Sequence, residues 1–148
     1  MKKLKVLFLC TGNSCRSQMA QGWARVLKGD ELEAYSAGVA PHGMNARAVK
    51  VMAEAGVDIS SHHSKHVDSL KDVAFDYVVT VCDHAHESCP VFAGCTKVVH
   101  VGFEDPPALA RESRDEDEVL AHYRRVRDEI REWILTLPES LQRSGRKL

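Results

Sequence analysis

Lys5-Val6-Leu7-Phe8-Leu9-Cys10-Thr11-Gly12-Asn13-Ser14-Cys15-Arg16-Ser17 is an apolar run that stops at a cysteine and gives way to small residues. The run is continuous rather than alternating, which suits a central strand of a parallel sheet covered on both faces. Residues 17–28 then place Ala20, Trp23, Val26 and Leu27 at helical spacing, and Gly29 supplies a stop. In sheets built from such strand, loop and helix units, ligands bind at the carboxyl ends of the strands. A small-residue loop there can curl with its N–H groups inward, and the next helix adds its positive end, making a nest for a tetrahedral oxyanion. The nest would comprise Thr11, Gly12, Asn13, Ser14, Cys15, Arg16 and Ser17, with Cys10 beneath the anion. Arg16 offers a two-pronged donor to the anion. Ser17 can donate to the Cys10 sulfur, and this positive setting predicts a lowered pKa and a thiolate nucleophile.

Outward from this stretch the pattern repeats. A second strand fits Glu33 to Ala37, and Val49, Met52 and Ala53 mark the inner face of a helix ending at Gly56. Residues 77–81 and 97–101 read as two more buried, β-branched strands. Ser113 and Glu116 can form a capping box, after which Val119, Leu120, Tyr123, Val126, Ile130, Trp133, Ile134 and Leu137 form an apolar stripe that Pro138 ends. Alternating strands and helices predict one α/β domain over residues 1–141: a parallel sheet of about four strands with helices on both faces, followed by a polar, basic tail over 142–148.

Twenty Lys and Arg against 21 Asp and Glu leave a formal net charge of -1, which gives no reason to expect nucleic acid or an anionic membrane as partner. The apolar stretch from Leu4 to Cys10 is too short for a membrane span or the core of a signal peptide, so a cytoplasmic location is expected. Five cysteines, an odd number, point to reduced thiols kept for chemistry rather than to a disulfide framework. The Cys82, His86, Cys89 spacing lacks a short-spaced cysteine pair, and no metal is expected there.

A cysteine, five residues, then Arg16 and Ser17 at the end of an N-terminal strand resembles the low-molecular-weight protein tyrosine phosphatase superfamily, and within it the thioredoxin-coupled arsenate reductases. The resemblance covers nearly the whole chain. It implies a four-stranded parallel sheet and a general acid in the late Asp105-Pro106 pair; a monomer is the expectation for the single domain. What separates a reductase from a phosphatase is Cys82 through Cys89. Arsenate reduction needs two electrons from thiols, and the resemblance implies that they come from Cys10, Cys82 and Cys89 in turn, with thioredoxin as reductant and no tightly bound cofactor. If residues 83–89 start as a helix, that segment must unwind to close a Cys82–Cys89 disulfide. Cys15 and Cys95 carry no catalytic signal.

Some reductases of this type hold potassium through an Asn, a Glu, a Ser and an Asp, and the matching positions here are Asn13, Gln21, Ser36 and Lys65. Two carboxylates are missing and Lys65 brings its own charge, so the potassium site is expected to be absent, with the Lys65 ammonium in its place. A tyrosine phosphatase is the alternative function. Against it, Asp105-Pro106-Pro107 lacks the aromatic residues that would stack on phosphotyrosine.

Overall fold

The computed structural model describes residues 2–82 and 96–145. The expected helix over 83–89, together with Cys89 and Cys95, lies outside the described residues. In chain order the elements are β1 (Leu4–Cys10), α1 (Arg16–Lys28), β2 (Leu32–Gly38), α2 (Ala46–Glu54), a 3-10 turn (Val67–Leu70), β3 (Tyr77–Thr80), β4 (Lys97–His100), α3 (Pro106–Leu109), α4 (Glu116–Ile134) and α5 (Glu139–Gly145). The four strands form one parallel sheet in the order β2-β1-β3-β4.

β1 lies inside the sheet, paired with β2 from Leu4↔Leu32 to Cys10↔Gly38 and with β3 from Val6↔Tyr77 to Leu9↔Thr80. Successive side chains of a strand point to opposite faces. Val6 through Cys10 are all buried, so both faces of the sheet are covered here, as the unbroken apolar run requires. Burying each of Leu7, Phe8 and Leu9 contributes about 1.5–3 kcal/mol, and this fixes where the strand ends and the loop begins. β4 departs from expectation. It is an edge strand, paired only with β3 among the described strands, and Lys97, Val98 and His100 are exposed.

α4 carries the apolar stripe: Val119, Leu120, Tyr123, Val126, Ile130 and Ile134 are buried. Its cap is not the expected Ser113–Glu116 pair. Asp115 caps the helix by accepting from the Glu118 N–H at 2.9 Å, and Glu118 reaches back to the Arg114 N–H at 2.9 Å. Asp115 wins because three acidic residues then occupy the first turn, where the helix dipole favours them. The buried face of α2 is Ala48, Val51 and Met52, one residue out of phase with the predicted Val49, Met52 and Ala53. Asn45 starts the helix by capping it, accepting from the N–H groups of Arg47 and Ala48.

α1 and α4 pack together through Trp23, whose indole donates to the Arg127 carbonyl at 3.2 Å. Farther along α4, Trp133 stands edge-on to both Phe8 of β1 and Phe103, at 6.2 and 6.1 Å between ring centres. The segment after β4 is thereby tied to the core. α5 runs across the position where the polar tail was expected to begin. No helix among the described residues is long and apolar enough to cross a membrane.

Candidate active site

The turn between β1 and α1 is held from outside through the carbonyls of residues 10–14. Val39, Ala40, His42 and Asn45 N–H groups donate to the carbonyls of Cys10, Thr11, Gly12 and Ser14 at 3.1, 2.8, 3.1 and 3.0 Å. The Asn13 carbonyl accepts from Ser64 Oγ at 2.6 Å and from Gln18 Nε2 at 3.2 Å. In a trans peptide the next N–H points opposite to the carbonyl, so the amides of residues 11–15 are turned inward. One of them is visible in that role: the Asn13 N–H donates to Cys10 Sγ at 3.2 Å. Asn13 makes the turn with φ of 48°, a left-handed conformation that asparagine tolerates better than most residues.

Hydrogen-bond directions around the sulfur can be read one by one. Asn13 Oδ1 accepts from the Lys65 N–H at 3.0 Å and from Gln18 Nε2 at 3.1 Å, which turns its Nδ2 toward Ser17 Oγ at 2.9 Å. Ser17 therefore accepts from Asn13 and is left to donate its own proton to Cys10 Sγ, 2.8 Å away. The expected lowering of the Cys10 pKa is overturned in this structure, where the thiol lies above its ordinary value. Burial of the sulfur is the largest influence and pushes the thiol up, against the hydrogen bonds from Ser17 and the Asn13 amide, which pull it down. Ser17→Ala removes a donor to the thiolate. The midpoint of Cys10 alkylation by iodoacetamide should therefore move to higher pH, with slower alkylation at any fixed pH below it; an unmoved midpoint would take Ser17 out of this role.

Cys15 differs. Burial, then the nearby Asp105 charge, push its thiol far up, which keeps it protonated and suits packing rather than attack. Arg16 directs Nη1 to the Phe103 carbonyl at 3.0 Å and Nη2 to Asp105 Oδ1 at 3.5 Å. Asp105 leads into α3, so the order strand, Asp, Pro returns the carboxylate to the mouth of the loop. Thr11 Oγ1 lies 3.3 Å from Cys82 Sγ, which places the second thiol against the same loop. A cavity of about 360 Å³ is lined by Cys10, Thr11, Gly12, Ser14, Cys15 and Arg16 together with His42, Asp105 and Pro107. A larger groove beside Trp23 and Val26 holds no nucleophile, so size does not mark the site. Cys10, Arg16, Asp105 and Cys82 thus come together. Sequence reasoning missed His42; its signal was a histidine just past the end of the strand adjacent to β1.

Lys65 Nζ donates to the carbonyls of Ser36 and His63 at 3.0 and 3.2 Å, while Ser36 Oγ donates to Gln21 Oε1 at 2.6 Å. The ammonium already sits on carbonyl oxygens of the kind a cation would use, and its burial pulls its pKa down. Potassium in place of sodium at equal ionic strength is expected to leave the melting temperature unchanged within about 1 °C; a clear rise would show a potassium site. Among the described residues no three His, Cys, Asp or Glu side chains are grouped to hold a metal.

A parallel sheet with an anion loop of this form after its first strand defines a family. The chain belongs to the low molecular weight phosphotyrosine protein phosphatases, whose family pattern matches residues 5–147. It is similar to the arsenate reductase of Halalkalibacterium halodurans, 47% identical over 140 residues covering 95% of this chain and 99% of that protein. The arsenate reductase of Bacillus subtilis is 49% identical over 130 residues, covering 88% and 91%. Among solved structures, an arsenate reductase from Archaeoglobus fulgidus superposes with a TM-score of 0.69 at 31% identity, covering 89% of this chain and 97% of that one. A low molecular weight protein tyrosine phosphatase from T. tengcongensis gives 0.68 at 30% identity, covering 93% and 99%.

Proposed function

We propose that this chain reduces arsenate to arsenite, with Cys10, Cys82 and Cys89 as the thiol relay and thioredoxin as the reductant. The observation that carries the reading is the second thiol: Cys82 stands on Thr11 of the loop that holds Cys10. A phosphatase needs one nucleophile, and a reductase needs two thiols within reach of each other. Its relatives of nearly half identity bear the name arsenate reductase.

In the proposed cycle the Cys10 thiolate attacks arsenic, a sulfur–arsenic bond forms, and one arsenic–oxygen bond breaks. Asp105 protonates the oxygen that leaves as water. The Cys82 thiolate then attacks the Cys10 sulfur; the sulfur–sulfur bond forms while the sulfur–arsenic bond breaks, and its electron pair stays on arsenic, giving arsenite. Cys89 exchanges into the disulfide, freeing Cys10, and thioredoxin dithiol reduces the resulting Cys82–Cys89 bond. The inward amides and Arg16 bind the anion throughout.

The test is arsenate-dependent NADPH oxidation in the presence of thioredoxin and thioredoxin reductase, run beside hydrolysis of p-nitrophenyl phosphate. Reductase turnover that requires all three proteins supports the proposal; phosphate ester hydrolysis without it makes the chain a phosphatase. Asp105→Asn should lower turnover about 10²–10⁴-fold while leaving arsenate binding within a few fold, as loss of a general acid does. Unchanged turnover would remove Asp105 from the mechanism.

A further inference from the structure

Besides Cys15, which is held protonated, one titratable side chain of the cavity has no part in the cycle above. His42 follows β2 and lines the same cavity as Cys10, Arg16 and Asp105. Its backbone is fixed, because its N–H donates to the Gly12 carbonyl at 3.1 Å. Its ring is pressed against the loop: a Cβ added to Gly12 would come within 2.0 Å of His42 Nε2 and 2.5 Å of each neighbouring ring carbon. Gly12 therefore has to be glycine for the ring to lie where it does. The ring is otherwise exposed, so no core packing calls for an imidazole there.

The charges of the cavity show what such a ring can add. Arg16, the guanidinium in the lining, is drawn to the Phe103 carbonyl and to Asp105, which offsets part of its charge. Asp105 itself repels an entering oxyanion. The inward amides bind the oxygens nearest Cys10, and an oxygen on the outer side needs a donor at the rim. We infer that His42 is an oxyanion-binding residue of this site, its imidazole Nε2–H donating to an outer oxygen of a bound arsenate or phosphate from a perch on Gly12. This rests on the oxyanion site proposed above, and not on the thiol relay.

The experiment measures binding without turnover: protection of Cys10 from iodoacetamide by inorganic phosphate, in the full-length protein with no reductant partner present. His42→Ala is expected to weaken protection about tenfold, the usual scale for losing one charge-assisted hydrogen bond. His42→Gln keeps a side-chain N–H donor and should stay within about threefold of the parent. In the arsenate assay the alanine variant should raise KM by a similar factor and leave kcat nearly unchanged, because the bond is made alike in ground and transition states. Unchanged protection in His42→Ala would overturn the inference. Equal losses in both variants would overturn it too, by showing that ring shape rather than a donor matters. Protection that follows the expected order in a protein without reductase turnover would uphold the role of His42 and sink the proposed reduction alone.

Discussion

Cys10→Ser is expected to remove arsenate reduction altogether, by on the order of 10⁴-fold or more, in a protein that still folds and still binds phosphate. A serine hydroxyl fits the place of the thiol, where Ser17 and the Asn13 N–H already supply hydrogen-bond partners, so burial leaves it satisfied. What it lacks is a nucleophilic anion near neutral pH. The strand and loop that bind the anion are untouched, which is why calorimetric phosphate binding should persist while NADPH oxidation stops. Cys15→Ser, in the same cavity, should keep most of the turnover, since its thiol is held protonated. More than a trace of reduction by Cys10→Ser would put the nucleophile elsewhere.

Gly38→Ala should damage the site almost as badly from a position that never meets substrate. Gly38 ends β2 opposite Cys10, and a Cβ there would lie 2.5 Å from the Thr11 carbonyl oxygen and 2.9 Å from the Asn13 nitrogen. Both are backbone atoms of the anion loop, so relief requires the loop itself to move. The expected cost is about 1–3 kcal/mol of stability by overpacking, with reductase turnover reduced about 10²-fold by misplaced amides. Gly56→Ala is the control. Its φ of 86° strains an alanine by about 1 kcal/mol, yet nothing lies within 4 Å of the added Cβ, so turnover should hold. Equal turnover in the two variants would show that the loop tolerates the displacement.

The elements that sequence made legible are those whose burial is uniform. Val6 to Cys10 announces a central strand because both faces are covered, and α4 announces itself because one stripe of a long helix must be apolar. The edge position of β4 was not legible, since Lys97-Val98-Val99 is as β-branched as a buried strand and only the pairing distinguishes them. The phase of α2 was lost for a similar reason: alanines stand on both its faces, so its apolar pattern fits two faces one residue apart. In the site, the residue types of the nest and the position of Asp105 follow from strand order. The balance at the Cys10 sulfur does not, because desolvation depends on what the other strands place around it. His42 escaped because its partner is a glycine, whose missing side chain leaves no mark in a pattern.

The backbone stitching of residues 39–45 to the anion loop also sets a rule for how this protein can vary. Four of those residues hold the loop through their N–H groups; at Val39 and Ala40 only the amide is indispensable, while Asn45 also caps α2 with its side chain. Proline is thereby barred at 39, 40, 42 and 45, while the proline that is present, Pro41, falls between the donors. Gly43, at φ of 98°, is closed to proline for a different reason, the fixed negative φ of its ring. A library randomised over 39–45 and selected for oxyanion binding should therefore return, outside positions 42 and 45, a spacing of permitted prolines rather than a consensus of side chains, a signature written in what the segment cannot accept.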